Sequence, residues 1–474
     1  MKDAAESKYW RYGTAGVLCV AFFLFLFNLQ SGAFWDYDEG IYAQVIHDTL
    51  ETGNLVTLHD MGSGWFEKPP AIFWAAMAAG SVIHTKEFAY RLPSALMGII
   101  AILLVMLIAY SLTQRYRIAC IAGIILLTSP PFLEAARQLR LDVPVATAIL
   151  FTVLAFIKGV KNDKWYIGVG VGIALGILCK SVIGLLPFLF IFIWALLYRD
   201  FSWLKNKYMW YGGAIGLLIV APWHIYQSLQ YGSSFWDVYL FFTVLHRFQG
   251  NVVGGQSASS NSTYFFFLST FALPWSILSL AAGGLLPWLK KKGMDITPSL
   301  VFFGFSIAVF ILFIFAGTKL ADYLTPIYPF IAIFLALVGT QLFDLFKNKR
   351  APFLVGCSLL LVAASINTIY VGFNMVPAFK DNQIISNDEQ NIGLLLAASA
   401  DPSPVYTYQY DYWDTIRYYS NERFIQKMND SQDLTQGFFL VVPGHFFESN
   451  SLSSDLHPVT VYKGEGASLY KITI

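Results

Sequence analysis

The chain has 474 residues and a formal net charge of +1, and 56% of its residues are hydrophobic, 17% aromatic and only 13% charged. This apolar content exceeds that of soluble globular domains and predicts a membrane protein. The near-neutral charge, with no basic stripe outside short loops, excludes a nucleic-acid-binding surface. The four cysteines lie in apolar stretches without CxxC spacing, so neither a disulfide framework nor a zinc cluster is predicted.

Apolar runs that can cross a bilayer recur along most of the chain. A membrane-spanning helix needs roughly 20 apolar residues, and the basic N-terminus lacks a small-residue cleavage site, which predicts a retained first helix. The run at 71–83 is shorter, which favours an interfacial or re-entrant segment. We predict about 11–13 spans, the clearest being 12–29, 89–110, 117–133, 141–158, 165–178, 181–198, 208–226, 263–282, 299–316, 323–343 and 352–372.

The distribution of Lys and Arg predicts the orientation of these spans, because cytoplasmic segments carry an excess of positive residues. With the N-terminus inside, 17 of the 31 Lys and Arg residues fall in inside segments, 8 in outside segments and 6 in the C-terminal tail. The outside cations lie in compact polar motifs on one membrane face. Charges that break the bias in this way are candidates for a functional site.

Two large outside segments and a polar tail complete the organisation. The segment 30–88 contains a short amphipathic helix at 41–51, predicted to lie along the membrane surface. The segment 227–262 ends in GGQSASSNS, which indicates either a mobile loop that orders on substrate binding or an idle linker. Residues 1–376 then form the membrane domain, and 377–474 form a small outside α/β domain.

Strands and helices of that small domain follow from its apolar runs. Period-two, β-branched and aromatic runs predict strands, whereas longer amphipathic runs predict helices. The predicted strands are Val405–Tyr410, Gly437–Val442, Val459–Tyr462 and Ala467–Ile474, and the predicted helices are 386–399 and 412–420.

The acidic stretch FWDYDEGIY follows the first span. Asp38 and Glu39 precede the predicted 41–51 helix, so Asp38 is either a helix N-cap or a functional carboxylate that accepts a proton from an acceptor hydroxyl. Asp36 is interpreted as a solvated or capping residue.

The motif FEKPP holds Glu67 and Lys68 in extended geometry, because residues before proline avoid the helical region. Lys68 is therefore either a phosphate-binding point charge or a snorkelling interfacial lysine. Arg91, and Arg140 with Asp142, lie at outer helix ends, where a structural ion pair is the alternative to a site role. The structural role is favoured for Arg137.

Two further motifs carry cations on the same side. Arg247 ends the second outside segment, and its planar guanidinium suits a phosphate. His246 beside it is a candidate metal ligand, but a lone histidine is more often a hydrogen-bonding surface residue. Lys319 and Tyr323 are four residues apart and share a face on a helical turn. The chain contains no Walker loop, GxGxxG or HExxH motif, so nucleotide use and zinc proteolysis lack support.

An ordered set of motifs resembles the bacterial aminoarabinose transferase and protein mannosyltransferase superfamily, whose members are membrane glycosyltransferases of the GT-C fold. The resemblance covers roughly residues 30–345, and it implies a mainly α polytopic fold with periplasmic juxtamembrane helices and a small C-terminal α/β domain. The motifs are DEGIYA, FEKPP, FAYRLPSA, RLDVPVA, ALGILCKSVIGLLP, APWHIY and TKLADYLTPIYP.

The resemblance implies a reaction in the bacterial inner membrane, with the site and the C-terminal domain in the periplasm. A sugar moves, with inversion, from a polyprenyl (undecaprenyl) phosphate to lipid A or another envelope lipid or glycan. No cofactor is required, and no nucleic acid takes part. The implied catalytic residues are Asp38, Glu39 and Asp142; the implied phosphate-binding residues are Lys68, Arg91, Arg247, Lys319 and Tyr323; Glu67 and His246 are further site residues.

The chain departs from the family pattern at several positions. It has Lys180-Ser181 where many members have Lys-Gly, Lys319-Leu320-Ala321 where they have KLP, and Leu245-His246-Arg247 where they have His-x-x-Arg. A divalent metal held by Glu67 and His246 is a less favoured alternative. Other readings of the whole chain are a transporter or flippase for lipid-linked sugars, a protein O-mannosyltransferase and an inactive scaffold.

Overall fold

The computed structural model divides into two compact units. The first contains Met1–Phe27, Phe66–Ala75 and Arg91–Phe373, and the second contains Asn28–Trp65, Ala76–Tyr90 and Asn374–Ile474. Asp36, Cys357 and most of the predicted span 352–372 lie outside the described residues. The structure describes residues 2–35, 38–250, 261–270, 272–346, 360–368, 370, 377–410, 414–421, 423, 425–428, 437–444, 446 and 457–473.

The first unit is helical, and its long helices are almost entirely apolar. Two helices, Ala71–Val82 and Lys86–Thr113, contribute residues to both units. The α-helices of the first unit are Lys2–Leu26, Tyr116–Leu127, Pro130–Ala136, Asp142–Gly159, Ile167–Lys180, Leu186–Tyr198, Lys207–Tyr231, Ser233–Trp236, Arg247–Gln249, Ser262–Thr270, Trp275–Lys291, Thr297–Ile314 and Tyr328–Leu345. Its 3₁₀-helices are Asp163–Tyr166, Ser181–Leu185, Ser202–Lys205 and Ala321–Ile327, and Asp237–His246 is a π-helix.

The mainly α-helical, polytopic architecture predicted from sequence is confirmed. Within the described residues, five helical segments are long and apolar enough to cross a membrane, or up to seven if each of two bent helix pairs makes one crossing. The helix Ala71–Val82 has 12 residues, so it is shorter than a spanning helix, as the 71–83 run predicted.

Proline breaks one predicted span into a bent pair. The run 117–133 forms Tyr116–Leu127 and Pro130–Ala136, whose axes differ by 71°. Pro130 has no backbone N–H and a fixed φ, so it suits the first turn of a new helix and cannot continue the previous one. A hydropathy pattern alone reads such a pair as one straight span.

The chain reverses direction between the predicted spans 165–178 and 181–198. A Cβ on Gly184 would overlap the backbone nitrogen of Ile177, so the two segments approach at backbone contact. Ser181 at the turn has φ 48° and ψ −131°, a conformation that favours glycine. The turn leaves Lys180 at the last position of its helix.

Glycines allow the helices Ile167–Lys180 and Lys207–Tyr231 to touch through their backbones. A Cβ on Gly170 would overlap the Gly212 carbonyl oxygen, and a Cβ on Gly212 would lie 2.7 Å from the Tyr166 carbonyl oxygen. Small residues at helix interfaces are a common means of association in membranes, where helices gain little from burying apolar surface.

We expect Gly170→Ala to destabilise the chain by about 1–3 kcal/mol, because the added methyl group forces the two helices apart. The measurement is the melting temperature of the purified chain in detergent. Gly213→Ala is the matched control, since a Cβ there meets nothing within 4 Å. Equal melting temperatures for the two variants would contradict the close packing.

The second unit contains the small α/β region predicted for the C-terminus, and this prediction is confirmed. Its mixed five-stranded sheet has the order β4-β3-β5-β7-β6, in which β3 pairs in parallel with β4 and β5, and β7 pairs antiparallel with β5 and β6. The helix Pro377–Ala398 and the short helix Asp414–Tyr419 accompany the sheet. The strands are β3 (Val405–Thr407), β4 (Ile425–Lys427), β5 (Phe438–Pro443), β6 (His457–Lys463) and β7 (Ala467–Thr473).

Residues of the first outside segment belong to the same unit. The helix Asp38–Thr52 is followed by a two-residue antiparallel ladder, His59–Asp60 with Ser63–Gly64. The helix matches the predicted surface helix 41–51 but begins three residues earlier, at Asp38. The predicted division of the chain at 376/377 stays a prediction.

Candidate functional site

The residues predicted to form the site occur in both units. Asp38 and Glu39 lie in the second unit, at the start of the helix Asp38–Thr52. The other predicted residues lie in the first unit: Glu67, Lys68, Arg91, Asp142, His246, Arg247, Lys319 and Tyr323.

Asp38 and Glu39 have different surroundings despite being neighbours. Glu39 is buried, and its Oε2 accepts a hydrogen bond from the Trp35 backbone N–H at 3.0 Å. This contact fixes the chain where it enters the helix, in the manner of a capping box. Asp38 is half-buried and makes no hydrogen bond or ion pair with the described residues. Glu39 therefore has a structural task, whereas the Asp38 carboxylate is the one of the pair suited to a substrate.

The FEKPP motif is anchored by its phenylalanine. The Phe66 ring lies 4.8 Å from the Tyr231 ring and 5.6 Å from the Phe235 ring, centroid to centroid. It belongs to a buried aromatic cluster with Trp223 and Tyr239. Since residues before proline are held extended, this anchor and the two prolines restrict where Glu67 and Lys68 point.

Glu67 lies between two cations. Its Oε2 is 3.4 Å from Arg247 Nη2 and 3.8 Å from Lys68 Nζ, and all three side chains are partly shielded from solvent. One carboxylate beside two positive charges leaves an excess of positive charge. Such an arrangement suits an anion, and a phosphate in particular, because Arg and Lys are the usual phosphate-binding side chains.

Arg247 is positioned from two sides. It follows the π-helix Asp237–His246, a rare geometry that is frequent at functional sites. Its carbonyl oxygen accepts a hydrogen bond from Thr318 N at 3.0 Å, and the Phe248 carbonyl accepts one from Gly317 N at 2.7 Å. These bonds bring the GTKLADY segment against Arg247, as the clustering of outside motifs predicted.

The Lys319 side chain folds back on its own turn. Its Nζ donates to the Ala316 carbonyl oxygen at 2.6 Å. The nearby Tyr323 ring packs on Phe313 with centroids 5.3 Å apart, and Lys180 Nζ lies 5.8 Å from the Tyr323 centroid. The roles of Lys319 and Tyr323 in binding stay predictions.

Asp142 is engaged in an ion pair with Lys180. The two groups hydrogen-bond directly, and the Asp142 side chain is only 5% exposed. Asp142 begins its helix and Lys180 ends the next, so the pair joins two helix ends at the same level. This contact gives Asp142 a structural partner, and its catalytic role stays a prediction.

A second ion pair, Arg140 with Asp322, lies in the same unit. Ser94 Oγ supports it by donating to the Arg140 carbonyl oxygen at 2.7 Å. The sequence analysis gave Asp322 no role. Its signal was an acidic residue in the polar TKLADY island, on the same predicted face as the lone arginine of RLRLD.

Arg91 lies near Arg137 in the buried part of the first unit. Burial, with a smaller contribution from the positive charge of Arg91, lowers the pKa of Arg137 to about 10. Arg137 Nη1 donates to the Leu24 carbonyl at 2.6 Å and the Phe27 carbonyl at 2.9 Å. It thus satisfies the last carbonyls of the first helix, which is the structural role favoured from sequence. Arg91 is 3% exposed, and its phosphate-binding role stays a prediction.

The residues considered for a metal do not form a ligand set. Glu67 faces Arg247 and Lys68, and the His246 ring lies 6.4 Å from the Phe242 ring. Searching the described part of the chain finds no group of three or more His, Cys, Asp or Glu residues placed to hold a metal ion. We derive no step that uses one.

A conserved-looking histidine elsewhere was missed as a positioning group. His224, in the quoted APWHIY motif, accepts at Nε2 from the Tyr239 hydroxyl at 3.0 Å, and its Nδ1 faces the Val220 carbonyl at 2.9 Å. Tyr239 lies in the π-helix that leads to Arg247. The histidine therefore helps to fix the helix that presents this arginine.

Known proteins resemble the chain in sequence and in fold. The family model of dolichyl-phosphate-mannose-protein mannosyltransferases matches residues 67–226. An undecaprenyl phosphate-alpha-4-amino-4-deoxy-L-arabinose arabinosyl transferase from Enterobacter sp. (strain 638) is 25% identical over 67% of this chain and 58% of that relative. ArnT from Cupriavidus metallidurans bound to undecaprenyl phosphate aligns with a TM-score of 0.73 and 20% identity, over 98% of each chain.

The archaeal oligosaccharyltransferase AglB from Archaeoglobus fulgidus aligns with a TM-score of 0.60 and 13% identity, over 92% of this chain and 70% of that one. The chain therefore has the GT-C fold of membrane glycosyltransferases, and it is a multi-pass inner-membrane protein. Within this class it is related to the aminoarabinose transferases and protein mannosyltransferases, so the resemblance inferred from its motifs is confirmed. It spans less than two thirds of the length of the aminoarabinose transferase that it matches.

Proposed function

We propose that the chain is an inverting glycosyltransferase that moves a sugar from a polyprenyl phosphate to a lipid A or other cell-envelope acceptor on the periplasmic side. The observation that carries the proposal is the excess of positive charge at Lys68 and Arg247, beside the single carboxylate of Glu67. The first two of these residues in the chain begin the segment that matches the mannosyltransferase family model. The structural relative that binds undecaprenyl phosphate supports a donor of this class.

The proposed reaction is a single displacement at the anomeric carbon. The acceptor oxygen forms a bond to this carbon, and the bond from the carbon to the phosphate oxygen breaks. The polyprenyl phosphate leaves with the bonding electrons, and the acceptor hydroxyl proton passes to Asp38. The leaving phosphate becomes more anionic as the bond breaks, so Lys68 and Arg247 stabilise the transition state more than the ground state.

The acceptor determines what Asp38 does. A sugar or protein hydroxyl needs a base, which contributes about 10²–10⁴-fold to the rate. A phosphate acceptor, as on lipid A, is already ionised, and Asp38 then stabilises positive charge that develops on the sugar. Comparing the two acceptor types in one assay distinguishes these roles.

The assay uses the full chain in membranes, with undecaprenyl phosphate-linked 4-amino-4-deoxy-L-arabinose and mannose as donors. Lipid A and a serine-containing peptide serve as acceptors, because the family model describes protein mannosyltransferases. Mass spectrometry of each acceptor reports transfer. Donor binding without transfer to any acceptor would contradict the proposal and favour the flippase alternative.

The periplasmic side is supported by the Lys and Arg distribution, which leaves few positive residues in the outside loops. An alkaline phosphatase fused after Ile474 tests this part separately. High phosphatase activity in cells is the expected result. Low activity, with a green fluorescent protein fusion at the same position bright, would reverse the orientation.

We expect Lys68→Ala to weaken donor binding by about 10- to 100-fold, because a hydrogen bond to a charged group contributes about 1.5–3 kcal/mol. The measurement is the affinity for undecaprenyl phosphate in detergent. Lys86→Ala is the matched control, since Lys86 donates to the Gly80 carbonyl and has no proposed role in donor binding. An unchanged affinity for the Lys68 variant would count against phosphate binding by this residue.

A further inference from the structure

One short helix of the C-terminal region contacts the chain on both sides of the helix that begins at Asp38. We call the Asp414–Tyr419 helix the clamp helix. Its contacts lie within the second unit, and they join residues that are more than 300 positions apart in sequence. The sequence analysis predicted a helix here but gave it no function.

The first set of contacts fixes the segment that leads into Asp38. The Phe34 backbone N–H donates to the Tyr419 hydroxyl at 3.4 Å, and the Thr415 hydroxyl donates to the Phe34 carbonyl oxygen at 3.3 Å. The buried Phe34 ring also lies 5.3 Å from the Tyr418 ring in an edge-on arrangement. Both backbone groups of Phe34, four residues before Asp38, are therefore held by the clamp helix.

Tyr419 makes a second bond that sets the direction of its hydroxyl. It donates to Glu87 Oε1 at 2.6 Å. Burial, followed by the negative charge of Glu87 and this hydrogen bond, raises the pKa of Tyr419 above its ordinary value. The hydroxyl stays protonated, so it can donate to Glu87 while it accepts from Phe34.

The second set of contacts fixes the far end of the Asp38 helix. Arg417 is 5% exposed, and it donates to Asp48 Oδ2 and to Asp60 Oδ1, each at 2.7 Å. Burial alone lowers the pKa of Arg417, but hydrogen bonding and the charges of the two carboxylates raise it overall, so the guanidinium stays charged. The same Asp48 Oδ2 accepts from Met61 N at 2.7 Å.

Together these contacts hold the helix at both ends without touching Asp38. Ten residues separate Asp38 from Asp48, or about 15 Å of helix. The bond from Trp35 to Glu39 completes the connection between the entry segment and the first turn. A reactive group must be placed to within a fraction of an ångström, because a 1 Å displacement can cost about 10²-fold in rate.

We propose that the clamp helix positions Asp38 for the transfer reaction, with Arg417 and Tyr419 as positioning residues. The inference rests on the proposed function, since it takes Asp38 as the reacting carboxylate. Loss of a positioning contact reduces the fraction of chains with Asp38 in place, and it leaves the donor phosphate contacts of Lys68 and Arg247 intact. It therefore lowers kcat and leaves the KM for the donor unchanged.

The test uses the full chain in lipid nanodiscs and the variants Tyr419→Phe, Arg417→Gln and Arg417→Lys. Hydrogen–deuterium exchange of residues 38–52 is the first readout, because it needs no substrate. We expect exchange to be about tenfold faster in the first two variants, since local opening becomes easier. The lysine variant keeps the charge, and we expect partial rescue.

The second readout is transfer from undecaprenyl phosphate-linked 4-amino-4-deoxy-L-arabinose. We expect kcat to fall about 10- to 100-fold in Tyr419→Phe and Arg417→Gln, with the donor KM unchanged. Tyr406→Phe and Arg423→Gln are matched controls in the same α/β region. Arg423 lies over the Phe439 ring, away from the clamp contacts.

Exchange and kcat equal to the unmodified chain in Tyr419→Phe would overturn the proposal, and this variant removes only one oxygen if Arg417→Gln fails to fold. A loss of donor affinity equal to the loss of kcat would also overturn it. If the unmodified chain transfers no sugar, the proposed function fails, but the exchange readout still decides whether the clamp helix holds the residues 38–52.

Discussion

Asp38→Asn is expected to lower the rate of sugar transfer to a hydroxyl acceptor by about 10²–10⁴-fold, because an amide cannot take up the acceptor proton. The substitution keeps the shape of the side chain. Asp38 makes no hydrogen bond or ion pair within the described part of the chain, so we expect the fold to survive. The measurement is initial transfer velocity in membranes with equal amounts of inserted protein.

Glu51→Gln is the matched control, because Glu51 is an exposed carboxylate at the other end of the same helix. It should transfer at the unmodified rate. If Asp38→Asn keeps more than about a tenth of the activity, a base at this position is excluded, given the usual size of general-base effects. A melting temperature equal to that of the unmodified chain separates loss of chemistry from loss of folding.

Lys180→Met is expected to destabilise the chain by about 3–5 kcal/mol, because it leaves the Asp142 carboxylate buried without its partner. Asp142 is 4% exposed, so water cannot replace the ammonium group easily. The measurement is the free energy of unfolding in mixed detergent micelles as the denaturing detergent is increased.

Two further variants make this prediction specific. Lys180→Met combined with Asp142→Leu removes both charges, and its stability is expected to return close to that of the unmodified chain. Lys161→Met is the control, since Lys161 is exposed. A single Lys180 variant as stable as the Lys161 variant would show that the ion pair contributes little.

The helical membrane architecture and the small α/β region followed from sequence because each depends on a local pattern. Long apolar runs gave the helices, and β-branched and aromatic runs gave four of the five strands of the larger sheet. The missing strand, Ile425–Lys427, has one buried residue followed by two exposed ones, so it carries no recognisable alternation.

The breaks and the partners were not predictable in the same way. Pro130 sits within a continuous apolar run, and hydropathy does not register the bend that it causes. Asp142 and Lys180 are 38 positions apart, and Arg417 and Asp48 are 369 apart. Only the packing of helices and the sheet brings such groups together. The sequence therefore indicated which residue types carry the chemistry, but not which of them neutralise one another.

The Arg417–Asp48 contact also sets an order of events during synthesis. Its two partners are separated by 369 residues, so at roughly 5–20 residues per second the ribosome needs about 20–70 s to supply the arginine. Throughout this interval the first outside segment has already been made, with Asp48 and Asp60 still hydrated. The helix that carries Asp38 reaches its final setting only when translation is nearly complete, which keeps the reactive carboxylate unassembled in unfinished chains.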